Sequence, residues 1–286
     1  MATKMVVGFP RWTPKFTFSG GSFQAAYPVT NLGVLPLANV ARTTNLLAAS
    51  TQFLATADKP RRIGLLALVR HSLSITAQWR VRIYSDTAAT ALLYDSGFID
   101  VWPVVYPYAQ LEWEDDTYWT GKYTADDLAG YAWTRPLYLN AQYIAGAIRI
   151  EITDAANTNG FIDIGAVEIA GGFVAATNFS RSSQFGFRFR TASQEALGGT
   201  KYFDRRDKVR VMRGSIDADA RDEAMARWFE LLRQFDLDIP WFWFPHPDET
   251  VHWLRTAYLV RCLDPGLFGY VAGNQNSVPF SVEEVL

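Results

Sequence analysis

The sequence predicts a mainly β protein in two parts: a β-sandwich over residues 1–172 and a smaller β domain with one packed helix over residues 173–286. Three observations carry this reading. Apolar residues in the first part recur at every second position, the period of a half-buried strand. A single stretch, about residues 218–236, recurs instead with helical spacing. Between the two parts, "GGFVAATNFSRSS" replaces alternation with glycine and small polar residues, as at a domain junction.

In chain order, "RRIGLLALVRH" is a continuous apolar run flanked by charge, expected of a strand covered on both faces. "ITAQWRVRIYSD" then sets Ala77, Trp79, Val81 and Ile83 on one face, with Gln78, Arg80, Arg82 and Tyr84 on the other. Residues 98–130 are rich in proline, aromatics and carboxylates and lack a clean period. They read as long loops with a short strand, decorating one edge of the sandwich. "AGAIRIEITD" opposes Ile148, Ile150 and Ile152 to Ala147, Arg149 and Glu151. "GFIDIGAVEIAGG" repeats the pattern through Ile162 and Ile164, with Gly165 expected at a bulge before Val167 and Ile169.

In the second part, "QFGFRFRTAS" places Phe185, Phe187 and Phe189 opposite Gly186, Arg188 and Arg190. "DKVRVMRGS" reads as a further strand, Val209 and Val211 facing away from Lys208, Arg210 and Met212. The helical stretch aligns Ala224, Trp228, Leu231 and Phe235 on one face. Asp217 or Asp219 is the expected N-cap. "VHWLRTAYLVRCL" is expected as a long return strand.

Composition narrows the function. The chain is 49% hydrophobic and 20% charged, which suits a folded core and excludes a disordered chain. A net charge of -2 lacks the basic surplus of a general nucleic-acid binder. The single cysteine, Cys262, excludes an internal disulfide and reads as a small buried hydrophobe. No signal peptide or membrane-spanning run stands out, so folding in a reducing cytoplasm without membrane insertion is expected.

Enzyme chemistry finds little support. His71, His246 and His252 have no metal-ligand spacing, and no nucleophile elbow, Walker loop or dinucleotide fingerprint occurs. Neither a catalytic residue nor a cofactor is expected. Glu112, Glu114, Asp115 and Asp116 could cluster oxygens around calcium or supply a glycosidase pair. A solvated loop is the favoured reading. Aromatic side chains are 15% of the chain, and Trp102, Trp113, Tyr118 and Trp119 are the candidates for stacking on sugar rings.

Trp241, Phe242, Trp243 and Phe244 stand consecutively, so a strand here carries large rings on both faces. One face can meet the helix. The other is expected at an interface between copies, with a core buried on both sides as the alternative.

Two resemblances add to this. "NVARTTNLLAASTQFLATADKPRRIGLLALVRHSLSITAQWRVRIYSD" and "IRIEITDAANTNGFIDIGAVEIAGG" resemble galactose-binding-like, discoidin-type jelly-roll domains, found in carbohydrate-binding modules and viral tail proteins. "SSQFGFRFRTASQEALGGTKYFDRRDKVRVMRGSI" and "RVMRGSIDADARDEAMARWFELLRQFDLDIPWFWFPHPDE" resemble tail or baseplate proteins of long-tailed bacteriophages. The resemblance implies a non-enzymatic structural component of a tail tip or baseplate, made in the host cytoplasm and carried in the virion tail. Its second domain would form a ring with copies of itself and meet other tail proteins. The jelly roll would lie outside, within reach of a host surface glycan. A carbohydrate-binding module or adhesin is the alternative.

Overall fold

The computed structural model describes residues 4–271 and 273–286, apart from the side chains at 125 and 218. Strands dominate. The first ten are β1 (Val6–Val7), β2 (Phe16–Ser19), β3 (Ala41–Arg42), β4 (Phe53–His71), β5 (Gln78–Tyr84), β6 (Leu92–Asp95), β7 (Ile99–Asp100), β8 (Thr134–Thr153), β9 (Asp163–Ala170) and β10 (Phe173–Val174). A helical turn, α1 (Ala125–Leu128), precedes β8. Then come β11 (Gln184–Arg188), β12 (Ala192–Glu195), β13 (Lys201–Asp204), β14 (Val209–Ala220), helix α2 over 221–234, β15 (Trp241–Phe244), turn α3 (Trp253–Thr256), β16 (Tyr258–Cys262), β17 (Gly269–Tyr270) and β18 (Gln275–Glu284).

The chain forms two compact units. The first joins residues 1–174 to 242–258, and the second joins 175–241 to 259–286. The segment 242–258, expected in the second domain, therefore packs with the first.

The first unit is a sandwich built around a sheet of order β3-β9-β4-β8-β5-β6. Its long strands β4 and β8 pair along most of their length, with register breaks between Thr56 and Arg61 and between Ile63 and Leu65. Such breaks let one strand bend and serve two layers of a sandwich. From Ile63 to Val69 every residue of β4 is buried, as its unbroken apolar run requires. On β5, Trp79, Val81 and Ile83 enter the core, while Arg80 and Arg82 face Asp95 and Glu151. Ile148, Ile150 and Ile152 of β8 join them.

Gly165 marks no bulge, because β9 holds one register against β4 from Ala170 to Ile164. Its missing side chain serves a close approach: a Cβ there would lie 3.0 Å from the Leu37 carbonyl oxygen and from Arg70 Cβ.

The expected interface strand is buried inside this chain. Phe242, Trp243 and Phe244 are among the largest fully enclosed side chains, and Trp241 is also buried. The partner that the sequence did not reveal is β1. Val7 and Val6 pair with Trp243 and Phe244, and a Cβ on Gly8 would sit 2.8 Å from Phe242 Cβ. Phe244 also packs edge-on against Trp253 at 5.7 Å. Trp241 belongs to the second unit, stacked on Phe235 at 5.5 Å. Burial on both faces is the outcome, and the run offers no surface.

In the second unit β16, β18, β14 and β11 lie side by side, all antiparallel. Helix α2 buries Ala224, Trp228 and Leu231 of the expected face, and Phe235 is buried just past its end. Its middle, Ala224–Phe229, is a wider π turn. Ala220 occupies the N-cap without a side-chain bond, because β14 runs straight into the helix. Asp219, an expected cap, lies in that strand opposite Asn276. Burial, reinforced by Glu223, raises its carboxyl above the usual range. The other expected cap, Asp217, instead accepts a 3.0 Å hydrogen bond from the Ser277 hydroxyl. The expected return strand is only partly extended: residues 250–256 coil into helical turns before β16 begins. There Thr256 donates to the His252 carbonyl and Trp253 to that of Pro247. Phe185, Phe187 and Phe189 are exposed, as are Gly186, Arg188 and Arg190, so this strand buries neither face.

Candidate functional site

The loop between β7 and α1 is held at its base and exposed at its tip. At the base, Trp102 is buried and donates to the Leu73 carbonyl at 3.1 Å. Its ring packs edge-on against His71, Tyr123 and Trp133. Tyr123 donates to the Val251 carbonyl at 2.6 Å. Lys122, nearly buried, binds Asp100 at 2.8 Å and holds that carboxyl below its usual range, with Gln78 assisting. A capping box closes the segment: the Asp127 amide donates to the Thr124 hydroxyl, and the Thr124 amide donates to the Asp127 carboxylate. These contacts fix both ends of the loop.

A tight neck connects base to tip. The amides of Val105 and Tyr106 both donate to the Gly121 carbonyl, at 2.7 and 2.9 Å. Gly121 has φ +58°, and a Cβ there would lie 2.9 Å from the Tyr106 carbonyl oxygen. Glycine suits both constraints. Above the neck, successive turns run from Glu112 to Thr120, and the Glu112 amide donates to the Asp115 carboxylate at 2.8 Å.

At the tip stand the rings. Trp119 is 89% exposed and Trp113 75%. Tyr118 meets Trp119 edge-on at 5.1 Å and Tyr108 at 5.1 Å with a 50° tilt. The Tyr108 and Tyr118 hydroxyls hydrogen-bond to each other, which raises the Tyr118 phenol above its ordinary range. Three of the four sugar-site candidates thus share the exposed loop. Trp102 does not: its ring and N–H are both engaged in the core, so it offers no stacking face.

Glu112, Glu114, Asp115 and Asp116 are all exposed in the same loop. Among the described residues, no three Asp, Glu, His or Cys side chains come together in a way that could hold a metal ion. The oxygens of these four carboxylates are hydrogen-bond acceptors on the loop that carries the rings. Among the described residues no helix is long and apolar enough to cross a membrane.

No family model matches this chain, and no curated protein does. Solved structures do. A family 32 carbohydrate-binding module from C. perfringens NanJ, in complex with galactose, is 10% identical, with 57% of this chain and 98% of that one covered at a TM-score of 0.37. The lectin-binding domain of Lectinolysin, complexed with Lewis b, is 12% identical, with 54% and 91% covered at 0.36. A family 32 module from Clostridium perfringens, in complex with GalNAc-beta-1,3-galactose, is 8% identical, with 55% and 96% covered at 0.35.

The aromatic spacing made Trp113, Tyr118 and Trp119 visible in the sequence. It gave no sign that Tyr108 would meet Tyr118, since their contact depends on how the intervening turns close.

Proposed function

We propose that the sandwich unit is a non-catalytic carbohydrate-binding module and that the loop carrying Tyr108, Trp113, Tyr118 and Trp119 is its binding surface. The observation that carries this is the sorting of aromatics along one loop. Trp102 and Tyr123 anchor the base, whereas the tip holds large rings in water on a stiff neck. Ring faces stack on the apolar face of a pyranose, and adjacent carboxylates accept hydrogen bonds from its hydroxyls. Exposed rings with polar neighbours fit a ligand that is itself half apolar and half polar.

The expected result is glycan-array binding by the full chain, followed by titration calorimetry on the best ligand. A sugar covering about 80 Å² of ring at roughly 25 cal/mol per Å² gains about 2 kcal/mol. Trp119→Ala is therefore expected to weaken binding about 30-fold, with the fold unchanged because the side chain is exposed. An array without signal, or full affinity in the Trp119→Ala and Tyr108→Ala variants, would refute the proposal.

A second reading is favoured by a different observation. Residues 184–208 of the second unit are exposed throughout, including several large apolar side chains. An assembly role accounts for such a surface. On this reading the chain is a structural part of a phage tail tip or baseplate, resident in the virion tail after assembly from the host cytoplasm. Its second unit would join copies of itself and other tail proteins, and the sandwich would be displayed outside.

A further inference from the structure

The second unit holds an arm and a groove with complementary chemistry. The chain leaves β11 at Arg188 and returns in β14 at Val209, which are register partners. Between them β12 and β13 form a separate two-stranded hairpin. A lone two-stranded hairpin is marginal in water. This one has no buried residue and exposes Phe189, Leu197, Tyr202 and Phe203.

On the same unit, helix α2 and the segment around β17 enclose a groove of about 590 Å³. Phe229, Leu232, Leu267, Phe268 and Tyr270 give it apolar walls. Phe229 meets Phe268 edge-on at 6.0 Å, while Leu267 and Tyr270 stand almost wholly in solvent. Asn276 also lines the groove and is buried, yet its Oδ1 has no hydrogen-bond partner among the described residues.

Charge matches the two features. Residues 189–208 carry five basic and three acidic side chains, with Arg206 paired to Asp204. Residues 217–238 carry seven acidic and three basic, one of the acids being the buried Asp219. Asp222, Asp236 and Asp264 are exposed and stand within a few residues of groove-lining positions in the chain. Arg233, at the groove, is already paired with Glu230. The arm leaves its own unit's groove open, and its length suits one side of a standard interface, about 20–30 residues.

We propose that the arm of one copy, residues 189–208, seats in the α2–β17 groove of a second copy of this chain. Its apolar rings would cover Leu267 and Tyr270. Its arginines and lysines would meet the acidic margin. Because arm and groove are different surfaces, the contact is heterologous, and it propagates from copy to copy into a ring or a row. This proposal rests on the assembly reading and is independent of sugar binding.

The test is light scattering coupled to gel filtration on the full chain at about 100 μM in low salt. Two variants alter only exposed positions: Arg190→Glu/Arg205→Glu on the arm, and Leu267→Asp/Tyr270→Ser at the groove. Wild type is expected to associate, more weakly as salt rises. Each variant is expected to lose association at least tenfold while keeping its circular dichroism spectrum. Mixed together, the two variants should form dimers that grow no further, since each supplies the surface the other lacks. A monomeric wild type, unchanged association in either variant, or variants that stay monomeric when mixed would each overturn the proposal. Glycan-array binding on the same samples separates this failure from failure of the carbohydrate reading.

Discussion

Arg11→Met is expected to destabilise the sandwich by about 3–5 kcal/mol, the usual loss when one partner of a buried ion pair is removed. Arg11 Nε lies 2.8 and 3.1 Å from the two oxygens of Glu168, whose side chain is fully enclosed on β9. Burial already raises the Glu168 carboxyl above its ordinary range, although Arg11 pulls in the opposite direction. Without the guanidinium the carboxyl rises further, so the variant pays most at high pH and least once Glu168 has taken up a proton. Urea unfolding at pH 8 and pH 5 should thus give a larger stability difference from wild type at pH 8. Arg11→Met/Glu168→Leu should recover most of the loss, because an apolar pair of similar volume leaves no unpaired charge. A loss under 1 kcal/mol, or a difference that grows toward acid, would contradict the account.

His71 gives the second large effect. Burial, aided by the positive charge of Arg135, holds its imidazole down to about 3. Its Nδ1 accepts from the Leu73 amide at 3.3 Å, and the rings of Trp102 and Trp133 lie 5.4 and 6.2 Å away. The unfolded chain takes a proton near pH 6.5, whereas the folded chain refuses it until about pH 3. Stability is therefore complete above the unfolded value and falls as the pH drops, by about 1.4 kcal/mol per unit. Between pH 6.5 and 5 the loss approaches about 2 kcal/mol, before ordinary carboxylates titrate. In His71→Gln this part of the slope should vanish, even if the variant is less stable at pH 7. An unchanged slope in urea unfolding across that window would show that His71 is not its source.

Much of the fold was legible because strand alternation maps directly onto burial. Trp79, Val81 and Ile83, like Ile148, Ile150 and Ile152, needed only a period of two. The face of α2 needed only a period of 3.6. Harder were features decided by residues remote in the chain. The run from Trp241 to Phe244 was expected at an interface between copies, because its partner, β1, lies at the opposite end of the sequence. Trp102 and Trp119 look alike in sequence. What separates them is a carbonyl at Leu73 and a ring at His71, both outside their loop. The caps of α2 were misplaced because β14 continues to Ala220, and strand pairing with β18 outweighs the local capping tendency of Asp219. The apolar stretch after Val251 suits a helix or a strand equally well at short range.

The placement of residues 242–258 with the sandwich bears on how the protein is made. The segment 175–241 interrupts the sandwich's own chain, and Leu254 belongs to the sandwich core. As synthesis proceeds from the N-terminus, the first 174 residues emerge with β1 lacking its β15 neighbour and the core lacking Leu254. The last contacts of the first unit form only after residue 258 has left the ribosome, when most of the second unit is already outside. A fragment ending at Val174 is expected to expose apolar surface to a dye and to be cut by protease far faster than the full chain. The first unit to begin thus gains its last contacts only when most of the chain has been made.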